Sequence, residues 1–305
     1  MNHTVYLSDP GIYKKDNKFY YNSSGTLVLQ GSIFDRISKI RVPPAWKKVW
    51  YSSSSKCHIQ VHGIDSNGKK QYILSDSWVK SSKCIKYNRI KSFIKDLESF
   101  KQKITLRHWD YSKKCLINLL FQLLINTHIR VGNEKYAENN KTYGLTTLRQ
   151  KHFVNDTFSF VGKSSISHNI DIPKELLSCI KKLYLPGSNK PLFWYSDQDK
   201  IKVIDSEELN LYLKEHMGKE YTCKDFRTYS ANILFIKAFL KNAKGKHGAK
   251  KIILESIDES AKLLGHTRNV SRKSYISEKL INYCLDYFDT AARSSIGKLL
   301  NTIWA

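Results

Sequence analysis

Up to residue 78, apolar and polar positions alternate in short runs: residues 18–21 (KFYY), 26–30 (TLVLQ), 49–52 (VWYS), 58–61 (HIQV) and 71–74 (QYIL). Gly, Ser, Asn and Pro separate them. A period of two sends successive side chains to opposite faces, so these runs predict a small antiparallel sheet. Asp65-Ser66-Asn67-Gly68, between two of the runs, is a strong hairpin-turn signal because Asn-Gly readily supplies positive φ. The segment 79–84 (VKSSKC) reads as a linker. From Asn88 the period changes: Ile90, Phe93, Ile94, Leu97 and Phe100, then Leu116, Leu119, Leu120, Leu123 and Leu124, recur at helical spacing. Further helices are expected at 174–183, 206–216, 224–241, 253–264 and from 277 to the end. Residues 145–172 alternate again around Asn155-Asp156 and Gly162-Lys163, which predicts a three-stranded insert. The expected fold class is α+β. A small antiparallel sheet domain over 1–80 precedes a larger, mainly α-helical domain over 81–305 that carries the insert.

Charge narrows the partners. Against 27 acidic residues stand 51 Lys and Arg, a formal +24, and a surface so basic is drawn to polyanions, with nucleic acid the commonest. The N-terminal residues contain no apolar core of signal-peptide length, and the longest apolar stretch, 115–125, is interrupted by Asn118 and Gln122. Neither secretion nor a membrane partner is expected. The six cysteines lie far apart, with no CxxC pair and no Cys/His cluster of zinc spacing, and read as reduced thiols of an intracellular, reducing compartment. Between Phe235 and Lys251, six lysines (Lys237, Lys241, Lys244, Lys246, Lys250, Lys251) occur with no acid among them. They read either as a solvated loop or as a flexible arm lying on DNA.

A tyrosine attacking a phosphodiester needs fixed cations for the charge that builds on the nonbridging oxygens, and a proton donor for the departing 5′-oxygen. Arginine suits the first task, since its planar fork meets two oxygens and stays charged. Four places fit. Arg130 ends an apolar helix that Gly132 would stop; on its own, a cation at a helix C-terminus is the ordinary reading. Lys163 sits at a predicted hairpin tip, where a solvated turn lysine is the ordinary reading. Lys224 and Arg227 lie three apart behind a capping-box start at Thr222, and the helix N-terminus there reads as a ready phosphate site. His266 and Tyr275 are nine residues apart, about 13 Å along one continuous helix. They can share a site only if the chain turns, with Gly265 as the stop and Thr267 or Ser271 as a fresh cap.

Taken in order, Arg130, Lys163, Lys224-x-x-Arg227, Leu264-Gly265-His266-Thr267 and Tyr275 resemble the catalytic pattern of the type IB DNA topoisomerases, in their small poxvirus and bacterial branch. The N-terminal segments Arg41-Val42-Pro43-Pro44-Ala45-Trp46, His58-Ile59-Gln60 and Gly63-Ile64-Asp65-Ser66-Asn67-Gly68 resemble that branch's β-domain, so the likeness spans nearly the whole chain. The resemblance implies Tyr275 as the nucleophile of a 3′-phosphotyrosyl intermediate, Arg130 and Arg227 on the scissile phosphate, His266 donating to a nonbridging oxygen, and Lys163 protonating the 5′-oxygen. It implies supporting roles for Lys224 and Asn232, and DNA contacts for Gln71, Tyr72 and Tyr136. It further implies relaxation of supercoiled double-stranded DNA by a monomer clamped on the duplex, with no ATP, metal or other cofactor. Ser164 stands where the poxvirus pattern has an acid, Asn133 where it has a lysine and Leu74 where it has an aromatic, which bears on the preferred cleavage sequence. Two other readings use the same residues: a tyrosine recombinase, which usually carries His-x-x-Arg where this chain has Lys224-x-x-Arg227, and a noncatalytic DNA-binding protein of the same fold.

Overall fold

The computed structural model describes residues 8–106 and 108–302. The chain divides into two compact units, with the boundary between Lys86 and Tyr87.

In the first unit, strands β1 (Ile12–Lys15), β2 (Lys18–Tyr21), β3 (Lys47–Tyr51), β4 (Ile59–Ile64) and β5 (Lys70–Leu74) form one antiparallel sheet in the order β2-β1-β3-β4-β5. Its register lines up Tyr21, Ile12, Tyr51, Val61 and Ile73 across the strands. That row and Phe19 form one face, against which Val28 and Ile37, the latter from helix α1 (Ser32–Ser38), complete a small core. The β4–β5 hairpin closes as expected, with Asp65 Oδ1 accepting from the amides of Asn67 and Lys69 and Gly68 at φ 73°. Two expectations fail here. Residues 26–30 make only one isolated bridge, Tyr20 with Leu27. Residues 79–84 are helical, inside α2 (Asp76–Lys103). They lack an apolar stripe, but neither Gly nor Pro breaks them, and Ser75 caps the helix by accepting from the Trp78 amide.

In the second unit, α2 and the apolar α3 (Lys113–Thr127) bury Phe93, Leu97, Phe100 and nearly every apolar residue of α3 in a first core. It is shared with α5 (Lys174–Leu183) and α6 (Ser206–His216), which follow α4 (Glu134–Asn140). The predicted insert is present: β6 (Phe153–Val154), β7 (Thr157–Gly162) and β8 (Ile166–Asp171) pair antiparallel in that order, and a two-strand ribbon, β9 (Tyr195–Asp197) with β10 (Lys200–Lys202), follows α5. Helix α7 (Cys223–Asn242) is buried on almost every side. Phe226 belongs to the first core, while Phe235, Ile236 and Phe239 belong to a second one built with α8 (Ala249–Leu263) and α10 (Glu278–Asp286). A central helix bridging two cores can hold side chains at fixed positions, which the site exploits. The single helix expected from 277 is instead α10, α11 (Phe288–Ala292) and α12 (Ile296–Asn301), preceded by α9 (Arg268–Ser274); residues 303–305 of that expectation lie outside the described residues. No helix among the described residues is long and apolar enough to cross a membrane.

The lysine-rich stretch is not an extended arm. Lys237 and Lys241 lie in α7 and Lys250 and Lys251 in α8, leaving only residues 243–248 as a connection. Lys241 pairs with Glu259 at 3.2 Å and Lys251 with Glu255 at 4.0 Å. The acids that neutralise them lie one to two turns further along α8, beyond the acid-free window.

Candidate functional site

Arg130 is held beyond the helix, not at its end. Helix α3 stops at Thr127 because His128 takes a left-handed conformation (φ 58°, ψ 18°), four residues before the expected stop at Gly132. The backbone then runs extended beside residues 145 and 146: Leu145 N donates to Arg130 O at 2.8 Å and Thr146 N to Val131 O at 2.7 Å. The side chain is half-buried, and its pKa is lowered by that burial while the nearby Tyr275 opposes the shift.

Arg227 comes from the buried middle of the second turn of α7 and is 7% exposed. Nη1 donates to His128 O at 2.5 Å, and Nη2 donates to Leu264 O and faces His266 Nε2 at 3.2 Å. A guanidinium only donates, so His266 Nε2 is the acceptor and the ring proton sits on Nδ1, which faces Ser271 Oγ at 3.3 Å. Burial, with Arg130 adding repulsion, lowers Arg227 to about 9, which leaves it charged at neutral pH. His266 is lowered to about 3, by burial first and then by Arg227, Arg130 and Lys163, so it is neutral.

His266 and Tyr275 meet because the chain turns between them. Gly265 at φ 57° ends α8, the His266 amide reaches back to Ala261 O at 2.8 Å, and Thr267 Oγ1 caps α9 by accepting from Val270 N. Helix α9 then delivers Tyr275 at its C-terminus, with its ring stacked on His266, centroids 4.3 Å apart. Asn232, fully buried on α7, fastens this end: its Nδ2 donates to Tyr275 O at 3.1 Å and its Oδ1 accepts from Ser277 N at 2.9 Å. Tyr87 of α2 donates to Ile276 O at 2.7 Å.

Lys163 opens a short turn (Lys163–Ser165) between β7 and β8, exposed and near enough to His266 to depress its pKa. Arg130, Arg227, His266, Tyr275 and Lys163 therefore converge. Lys224 is exposed at the start of α7, three residues before Arg227, and among the described residues no hydrogen bond or ion pair fixes its side chain. Nor is the start of α7 open to an anion. Thr222 N already donates to Asp225 Oδ2 at 2.9 Å and Cys223 N to Asn210 Oδ1 at 2.8 Å, while Arg89 pairs with Asp225 at 2.8 Å. A carboxylate fills the place that the sequence offered to phosphate.

Gln71 and Tyr72 belong to the other unit. Tyr72 stands 49% exposed on the edge strand β5 with Lys70 Nζ 5.7 Å from its ring centroid, and Gln71 donates to Asp65 Oδ2 at 2.7 Å. Tyr136 is exposed on α4.

The sequence did not single out Tyr87, His168 or the Arg89–Asp225 pair, whose partners are mostly distant in the chain, and it offered Ser271 only as a helix cap, a place that Thr267 takes while the Ser271 hydroxyl faces His266 Nδ1. His168 lines a cavity of about 10 Å³ together with Arg130, Arg227 and His128. Only the cross-strand pairing of Phe160 with His168 could have hinted that it faces inward.

A five-stranded antiparallel unit precedes a helical unit with a small sheet, and in the latter a tyrosine is gathered with two arginines, a histidine and a lysine, an α+β architecture shared with DNA topoisomerases. Residues 75–291 match the family described as eukaryotic DNA topoisomerase I, catalytic core, and residues 18–65 the family described as bacterial DNA topoisomerase IB, N-terminal domain. The chain belongs to the type IB DNA topoisomerases, enzymes whose substrate is DNA. It is 34% identical over 298 residues to DNA topoisomerase 1B of Acanthamoeba polyphaga mimivirus, covering 91% of this chain and 87% of the relative. With DNA topoisomerase 1B of vaccinia virus (strain Copenhagen) it shares 27% identity over 262 residues, covering 79% and 78%.

Proposed function

We propose that this topoisomerase opens one strand of duplex DNA by attack of Tyr275 Oη on a phosphodiester, leaving a 3′-phosphotyrosyl link, and closes it again with no ATP and no metal. The observation that carries the reading is the stacking of Tyr275 on His266, with Arg130 and Arg227, one half-buried and one buried, close to the tyrosine. Arg130 and Arg227 hold the nonbridging oxygens as charge builds there, already oriented and poorly screened, which is the setting in which fixed donors act most strongly. As the P–Oη bond forms, the P–O5′ bond breaks. Lys163 gives its proton to the 5′-oxygen and the phenolic proton passes to solvent. The new phosphotyrosyl ester retains the bond's free energy, so the freed 5′-hydroxyl reverses the step unaided. Between the two steps, torsional strain drives rotation about the intact strand.

For His266 to donate to phosphate, its proton must sit on Nε2. The Ser271 hydroxyl can serve either tautomer, accepting from Nδ1–H or donating to bare Nδ1. Asn232 supports the reaction by fixing the backbone of the nucleophile, and Lys224 contributes charge at the margin. The exposure of Tyr72 and Tyr136 supports their meeting DNA, with Gln71 beside Tyr72. The enzyme acts as a monomer on the duplex.

The test is relaxation of supercoiled plasmid in EDTA without ATP, comparing the native chain with Tyr275→Phe. The native chain should relax supercoils of either sign and form a covalent adduct under denaturing conditions; the variant should do neither. Relaxation that requires magnesium or ATP, or that survives in Tyr275→Phe, would overturn the reading.

A further inference from the structure

The imidazole of His168 occupies a place between two of the site's parts. On β8 it pairs across the hairpin with Phe160, and the two rings stack with centroids 5.0 Å apart. Its edge lies against the backbone of two glycines. A Cβ added to Gly162 would lie 2.7 Å from its Cδ2 and Nε2, and one added to Gly265 would lie 2.6 Å from its Cε1. Gly162 immediately precedes Lys163, and Gly265 immediately precedes His266. One ring therefore sits flush against the residue before the lysine and the residue before the histidine, and no side chain on either glycine could allow that approach.

The ring is also electrically suited to the place. Burial, with Arg227 and Arg130 nearby, lowers its pKa, so it fills the space beside two cations without adding a third charge. The turn that carries Lys163 needs such a support, since two of its three residues, Ser164 and Ser165, have positive φ and none is buried.

We propose that His168 is a positioning residue for strand transfer, a wedge that seats the Lys163 turn against the Gly265–His266 turn. The proposal rests on the reading of Lys163 as proton donor to the 5′-oxygen. Placing a donor is exacting, because a displacement of about 1 Å can cost on the order of 100-fold in rate.

The test is single-turnover cleavage of a duplex with one mapped cleavage site, made with either oxygen or sulfur at the bridging 5′ position. A thiolate leaves without a proton, so a defect in proton donation disappears on the sulfur substrate while a defect in nucleophile or phosphate binding does not. His168→Ala is expected to slow the oxygen substrate by roughly 10- to 100-fold and the sulfur substrate hardly at all. Gly162→Ala presses a methyl onto the ring from the opposite side at a position with ordinary φ, and should give the same selective loss. Lys163→Ala provides the reference pattern. If it is selective and both other variants slow the two substrates equally, or neither, the wedge is overturned alone. If Lys163→Ala itself slows both substrates equally, the donor reading fails and the wedge with it.

Discussion

Arg227 shows how much one side chain can be asked to do. Its guanidinium fork is fixed by two backbone carbonyls from opposite sides of the site, His128 O and Leu264 O, and it faces His266. An ammonium is a point charge and cannot span those positions. Arg227→Lys should therefore lower single-turnover cleavage by roughly 100-fold or more while noncovalent DNA affinity changes little. A lysine variant that cleaves at the native rate would show that charge alone suffices there. The five converging residues were legible in the sequence, but only as an ordered set resembling a family. Taken singly, Arg130 reads as a cation at a helix end and Tyr275 is one of 18 tyrosines. Residues such as Tyr87 and His168 carry no local signature, because what gives them meaning is a backbone carbonyl or a ring brought in by another element.

At the level of elements, strong periodicity was a faithful guide. Helices α5 and α6 have the bounds their apolar spacing predicts, and the insert's three strands follow from alternation around two turns. Weak or short signals were not. The helices α1, α4 and α9 each span seven residues, too few for a periodic stripe, and α3 ends at a histidine whose left-handed conformation no sequence rule favours strongly. The phosphate reading of the α7 start failed for a related reason: Asp225 is a capping residue in sequence and an anion in space. The α7–α9 connection also carries a prediction. Asn232→Ala would strip partners from the Tyr275 carbonyl and the Ser277 amide and should cost about 2–4 kcal/mol of stability. It should also slow cleavage more than it weakens DNA binding. Chemical denaturation and single-turnover rates on the same variant check both. Full stability with native cleavage would mean that the helix end keeps its position without the clamp.

Over the whole molecule, the excess positive charge accompanies several histidines held neutral. Burial, reinforced by nearby cations, lowers His128 and His152 to about 4 and His266 to about 3, against an ordinary value of 6.5. The unfolded chain therefore takes up protons near pH 6.5 that the folded chain refuses until pH 4 or below. Unfolding gains from each such proton, so stability should be fully present above about pH 6.5 and fall as pH drops toward 4. Denaturation midpoints at pH 7.5, 6 and 5 would reveal the decline, and a profile flat across that range would contradict it. The fastening of Tyr275 has a mechanical side as well. On the proposed mechanism a DNA end tethered to that phenol would transmit torque to the protein as the duplex swivels, and the load would reach the chain at a helix end tied to α7 through Asn232 and to α2 through Tyr87. Those ties act as guy lines, spreading the pull of an unwinding duplex into two long helices instead of one short one.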